Sequence, residues 1–221
     1  ITHFMMNYSF IITFKSNDMS THFNTMLCLG DSYTIGEGVP LHQSFPYQTI
    51  QLLRSEGAHF HAPEIVAKTG WTSFELAEHL LHTKLNSQYD FVTLLIGVNN
   101  QYRGLSVEDF KEDFDFLLKK AIHFAQNDIN KVIVLSIPDW SVTPFAKDKD
   151  ANQITEAIDA FNAVCENACE QQQICFVNIT PSTRQAKDDP SVLTGDGLHY
   201  SGKEMRDWAE IVATIILDQL K

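Results

Sequence analysis

The chain has 221 residues, of which 44% are hydrophobic and 20% charged, and its net charge is −12 from 16 basic and 28 acidic residues. That length suits one domain with a sizeable core, and the composition is that of an ordinary globular protein. The acidic balance excludes a nucleic-acid footprint, which needs a basic face, and disfavours adhesion to anionic membranes. No run of about 18 apolar residues occurs, so no membrane span is expected.

Residues 1–24 are rich in Phe, Ile, Tyr and Thr. They read as an extension outside the main fold, either pairing on a sheet edge or a neighbouring chain, or disordered. The apolar stretch from Phe4 to Phe14 is short, with no preceding basic residue and no small-residue cleavage site, which is not the pattern of a signal peptide. A cytoplasmic location is therefore expected, with a periplasmic or secreted one as the alternative. The main domain runs over residues 25–221.

Short apolar runs then alternate with longer helical patterns. The first run, Met26–Leu29, leads into Gly30-Asp31-Ser32-Tyr33-Thr34. A helix over Ser44–Ser55 precedes a strand over Glu64–Ala67, a lone Gly70, and a helix over Ser73–Thr83. The strand Phe91–Ile96 leads into Gly97-Val98-Asn99-Asn100. Next comes a helix over Ser106–Gln126, capped by Ser106, with Phe110, Phe114, Leu117, Leu118, Ala121 and Ile122 at helical spacing. The strand Lys131–Ser136 is followed by a loop from Ile137 to Phe145, and then by a helix over Asn152–Gln172. After the strand Ile174–Asn178 comes Asp196-Gly197-Leu198-His199. A final helix, Ser201–Leu220, starts with a capping-box pattern at Ser201 and Glu204 and carries Trp208, Ile211, Val212, Ile215 and Ile216 as a core stripe.

Strands alternating with helices imply an α/β domain, a parallel sheet covered on both faces by right-handed crossovers. Cys28, Cys165, Cys169 and Cys175 lack the dense spacing of a disulfide framework and read as small apolar core residues. A disulfide from Cys175 to a helix cysteine stays open. His59-x-His61 and His79-x-x-His82 have metal-binding spacing, but no Cys or carboxylate cluster completes a site, so no metal is expected. Gly30 to Gly38 lacks both the Gly-Lys-Ser/Thr of a phosphate loop and a dinucleotide fingerprint.

The residues left over are those of a serine hydrolase. Ser32 follows a strand and can act as a nucleophile if a base lies beside it. His199 can be that base, because imidazole titrates near neutral pH. Asp196 lies three residues earlier, across a glycine, and can hold one ring nitrogen so that the other faces Ser32. The Ser32 and Gly70 N–H groups and the Asn99 amide can donate to an oxyanion. Each has a plainer alternative: a turn serine, a surface histidine, a loop aspartate or asparagine, a turn glycine.

The order of Ser32, Gly70, Asn99 and His199 resembles that of the SGNH hydrolases, a branch of the GDSL esterases and lipases. The resemblance covers roughly Met26 to the C-terminus. It implies a three-layer α/β/α flavodoxin-like sandwich whose five-stranded parallel sheet has the order 2-1-3-4-5. It also implies acyl transfer through Ser32, with no metal or organic cofactor. Two positions depart from the family pattern: Asn100 stands where an Asp is common, and Tyr33 where the name-giving Leu would be. Tyr33, Trp71, Asn100, Tyr102, Arg103 and Trp140 are candidate substrate-binding residues, with Phe145 beside them; the alternative is that the aromatics only pack loops. The expected partner is a small-molecule ester. The absence of a lid insertion favours short acyl groups. A thioesterase, a lysophospholipase, an acyltransferase and a silent carbohydrate-binding module are the competing readings.

Overall fold

Five apolar runs form the sheet: β1 (Met26–Gly30), β2 (Glu64–Ala67), β3 (Phe91–Leu95), β4 (Val132–Leu135) and β5 (Cys175–Val177). In the computed structural model, which describes residues 22–221, they pair all-parallel in the order β2-β1-β3-β4-β5. Every residue of β1, β3 and β4 is buried, as strands covered on both faces require. Cys28 in β1 stands opposite Ile65 in β2 and Thr93 in β3. The chain therefore leaves β1 in one direction and crosses back over it to β3. The carboxyl ends of β1 and β3 flank the switch point, where ligands bind in such sheets.

The expected strands at Phe91–Ile96, Lys131–Ser136 and Ile174–Asn178 run one residue long at one or both ends. Side chains close the ladder there. Ser136 Oγ accepts from the N–H groups of Ile179 (2.8 Å) and Thr180 (3.0 Å), which ends pairing between β4 and β5.

The helices are α1 (Ser32–Ile35), α2 (Phe45–Ser55), α3 (Ser73–His82), α4 (Val98–Tyr102), α5 (Val107–Phe124), α6 (Ala151–Gln172), α7 (Thr180–Thr183) and α8 (Gly202–Gln219). Right-handed crossovers put α2 on one face and α3, α5 and α6 on the other. α8 packs beside α2, and α5 packs between α3 and α6. α1, α4 and α7 are too short to show a helical period and read as loops from sequence.

Ser106 caps α5 as expected, accepting from Asp109 N–H at 3.0 Å. The capping box expected at Ser201 and Glu204 does not form. Ser201 Oγ donates to Ser191 O, while the buried Glu204 carboxylate accepts from Trp208 Nε1 and Ser182 Oγ. Ile211, expected in the α8 stripe, is exposed. A true capping box opens α3 instead, between Thr72 and Glu75. All four cysteines are free, and burial pushes the Cys28 thiol up to about 12. Asn24 bridges Phe60 in parallel, so the pairing of β1 with β2 starts before Met26. Residues 1–21 of the expected extension lie outside the described residues.

Candidate active site

The site is built from the turns that follow β1, β2 and β3 and from the loop before α8. Gly30 ends β1, and a Cβ there would collide with Thr34 Oγ1 and the Leu95 carbonyl. Only glycine lets the chain turn so close to β3. Asp31 then caps α1, its Oδ1 accepting from Tyr33 N–H at 3.0 Å. Ser32 is the first helical residue, so its own N–H has no intrahelical acceptor. Asp31 is fully buried and its Oδ2 has no partner among the described residues. Burial pushes its carboxyl up to about 7, against the backbone N–H groups of Tyr33 and of Asp31 itself.

His199 sits at the mouth of α8, after a turn permitted by Gly197 at φ +69°. Its Nδ1 lies 2.6 Å from Asp196 Oδ2. Asp196 Oδ1 accepts from Thr194 Oγ1 and from the N–H groups of Leu198 and His199. Partial burial acts to raise this carboxyl. The bonds from the His199 side chain, the His199 and Leu198 backbone and Thr194 outweigh it and hold the carboxyl well below the usual carboxylate range. A carboxylate bound to Nδ1 fixes the tautomer and leaves Nε2 for the cleft that Ser32 also lines. No hydrogen bond joins Ser32 Oγ to His199 among the described residues; such contacts often tighten only with substrate in place. Tyr33 packs edge-on against the His199 ring, with centroids 5.6 Å apart.

Gly70 is the third residue of a turn from Lys68 to Trp71, closed by Trp71 N–H to Lys68 O at 3.1 Å. Gly70 has φ +83°, whereas Thr69 is not among the positive-φ residues. That combination is a type II turn, which needs glycine at this position. A Cβ at Gly70 would meet nothing closer than Arg103 Nη2 at 3.8 Å, so backbone conformation alone demands the glycine. Asn99 is the second residue of α4, and its Nδ2 donates to Trp71 O at 3.0 Å. One amide hydrogen is spent on that bond and the second remains for a ligand.

Ser32, Gly70, Asn99 and His199 all line one cleft of about 150 Å³. Tyr33, Tyr102 and Trp140 line it too, joined by Thr69, Val98, Phe145 and Leu198. Asp196 stands behind His199. Tyr102, Trp140 and Phe145 form one aromatic cluster with centroids 5.5–6.1 Å apart, and Trp140 Nε1 donates to Gln101 Oε1. Three expected substrate contacts lie elsewhere. Trp71 packs at a tilt against His79, with ring centroids 4.7 Å apart. Asn100 is buried and bonded to the backbone N–H and the hydroxyl of Ser73. Arg103 is turned to Glu75 and the Gly70 carbonyl. The sequence singles out Val98 and Leu198 only as members of two motifs and not as lining residues of the cleft. The Thr-x-x-Glu signature at Thr72 would have singled out Glu75.

The GDSL-like lipase/acylhydrolase family model matches residues 28–205. The chain belongs to this family. It is accordingly a hydrolase of ester bonds. Compared by sequence alone, this GDSL hydrolase matches no curated protein. In three dimensions it is similar to TesA, at TM-score 0.67 and 18% identity over 87% of this chain and 98% of that one. It is similar to the psychrotrophic esterase EstA from Pseudoalteromonas sp., at TM-score 0.67 and 17% identity over 89% of this chain and 98% of that one. It is also similar to Axe2, an acetylxylan esterase from Geobacillus stearothermophilus, at TM-score 0.66 and 15% identity over 87% of this chain and 94% of that one.

Proposed function

We propose that the protein hydrolyses carboxylic esters of short acyl groups through an acyl-Ser32 intermediate. Ser32 Oγ attacks the ester carbonyl while His199 Nε2 takes its proton. Asp196 holds the imidazole in the tautomer that can accept it and stabilises the imidazolium that forms. The carbonyl oxygen becomes an oxyanion, which takes hydrogen bonds from Ser32 N–H, Gly70 N–H and Asn99 Nδ2. His199 returns its proton to the leaving alkoxide, so an alcohol departs and the acyl group stays on Ser32. Water then attacks the acyl-enzyme with His199 again as base, releasing a carboxylic acid and regenerating the serine. Every proton is accounted for by side chains already present.

The observation that carries this reading is the meeting of Ser32, Gly70, Asn99 and an Asp196-bound His199 at one cleft. The cleft lining supports an uncharged acyl group. Apart from His199 it contains no ionisable side chain other than two tyrosines, and Val98, Tyr102, Trp140, Phe145 and Leu198 make an apolar wall. Hydrolysis of p-nitrophenyl acetate, butyrate and octanoate by wild type and Ser32→Ala, with a chelator present, tests it. Activity that falls with chain length and vanishes in the variant is expected. Activity that survives Ser32→Ala refutes the mechanism, and a preference for octanoate refutes the short acyl group.

A further inference from the structure

The turn that carries Gly70 is held from α4 by three side chains, only one of which has a place in the chemistry above. Asn99 donates to the Trp71 carbonyl at 3.0 Å. Asn100 accepts from Ser73 N–H at 2.9 Å and donates to Ser73 Oγ at 2.7 Å, and that hydroxyl in turn donates to Asp113. Arg103 Nη2 donates to the Gly70 carbonyl at 2.5 Å. One α-helical turn and its end therefore bind residues 70, 71 and 73 in succession.

Arg103 makes the most consequential of these contacts. Its Nη1 lies 3.3 Å from Glu75 Oε2, and the same Glu75 oxygen accepts from Thr72 N–H at 2.8 Å. Glu75 thus closes the α3 capping box and aims the guanidinium. The fork reaches a carboxylate and a carbonyl at once, which a lysine ammonium cannot copy in the same plane. The carbonyl it grips belongs to the very residue whose N–H would face the oxyanion. Gly70 has no side chain to restrain it, and nothing else in the described structure bonds to its carbonyl. The turn's own bond, Trp71 N–H to Lys68 O, holds one side of the 70–71 peptide, and Arg103 holds the carbonyl on its other side.

We infer that Arg103, aimed by Glu75, is a positioning residue that fixes the 70–71 peptide and so limits rotation about the Gly70 Cα, which keeps the N–H of the adjoining 69–70 peptide pointed at the oxyanion, rather than a substrate-binding residue. This rests on the oxyanion role given to Gly70 above. The fully built site then has two halves, Gly70 on the β2 turn and Asn99 on α4. Arg103 and Asn99 tie each half to the other, so the donors are set before substrate arrives. Preorganised donors cost no rearrangement during reaction, and a misplacement of 1 Å can cost ~100-fold in rate.

The test compares Arg103→Met, Arg103→Lys and Glu75→Gln with wild type on p-nitrophenyl butyrate, a neutral ester. The inhibition constant of 1-butylboronic acid is measured beside the kinetics, because its tetrahedral adduct on Ser32 places an oxygen where the oxyanion forms. Arg103→Met is expected to lower kcat by ~10- to 100-fold. KM should stay within about threefold, since no ground-state contact is lost. The boronate constant should rise in parallel with the loss of kcat. Arg103→Lys and Glu75→Gln should fall between, as each keeps part of the clamp. Melting temperatures should stay close to wild type, because this ion pair is largely exposed.

A rise in KM with kcat intact, or a loss confined to esters of anionic acids, would return Arg103 to substrate binding and overturn the inference. Unchanged kcat and boronate affinity in Arg103→Met would overturn it as well. Ser32→Ala and Asn99→Ala keep the two ideas apart. If both abolish or slow turnover while Arg103→Met does not, only the clamp fails. If Ser32→Ala stays active, the underlying mechanism fails whatever Arg103 does.

Discussion

Replacing Asn99 separates the two things its amide does. In Asn99→Ala the bond to Trp71 O is lost along with the free N–H that would meet the oxyanion. The first loss costs about 1 kcal/mol of stability, the net worth of one ordinary hydrogen bond. The second costs ~2.7–4 kcal/mol of barrier, or a 10²- to 10³-fold drop in kcat. Asn99→Asp should be slower still. A carboxylate has no N–H to give, and it would set a negative charge beside both the Trp71 carbonyl and the growing oxyanion. The expected order of kcat is wild type, then alanine, then aspartate, with KM nearly constant throughout. Steady-state kinetics on p-nitrophenyl butyrate, with urea unfolding alongside, reads both quantities. The reasoning is refuted if Asn99→Ala keeps more than about a tenth of kcat, if the loss appears in KM, or if aspartate outperforms alanine.

Gly97→Ala should destabilise the fold. Gly97 has φ +130°, and a Cβ there would lie 2.6 Å from Ile137 Cδ1 and 2.8 Å from the Phe110 ring. Backbone strain and overpacking together predict a loss of ~2–5 kcal/mol, visible in urea unfolding; a loss below 1 kcal/mol would contradict it. Asp31→Asn should flatten the dependence of stability on pH. Burial raises the native Asp31 pKa to about 7, above an unfolded value near 3.9. The native state then holds the extra proton, so this group's contribution is full below pH ~4 and is lost as pH rises through ~7. Wild type should lose stability relative to the variant between about pH 4 and 7, and parallel curves would exclude a protonated Asp31. Phe145→Ala trims the exposed edge of the aromatic wall. It should raise kcat/KM for octanoate relative to butyrate, and an unchanged chain-length profile would remove Phe145 from the acyl site.

Much of the fold is legible in the residues because its signals are local. Met26–Leu29 and Phe91–Ile96 are short apolar runs with nothing amphipathic about them, as strands buried on both faces must be. The stripe from Phe110 to Ala121 has the period of a helix with one buried face. Gly70 and Gly97 stand where the backbone takes positive φ, a property of the residue type itself. Asp196 and His199 are three residues apart, so their contact is a local turn. These features, together with the family resemblance, place Ser32 and Asn99 at one crevice and imply that Gly70 and His199 join them.

What the residues could not say depends on partners far along the chain. α4 is barely one turn, too short for a period, yet its rotation decides that Asn99 faces the cleft while Asn100 turns inward to Ser73. Arg103 binds Gly70, 33 positions away, and Glu75, 28 positions away. Glu204 has the spacing of a capping box but is taken by Trp208 and by Ser182 from another segment. In each case neighbouring side chains on a helix point about 100° apart, so a charged or amide residue beside a motif can serve the substrate or the scaffold. Only the packing of α4 against the turn after β2 makes that choice, because the backbone groups that accept these side chains are brought within reach by the sheet and not by the sequence.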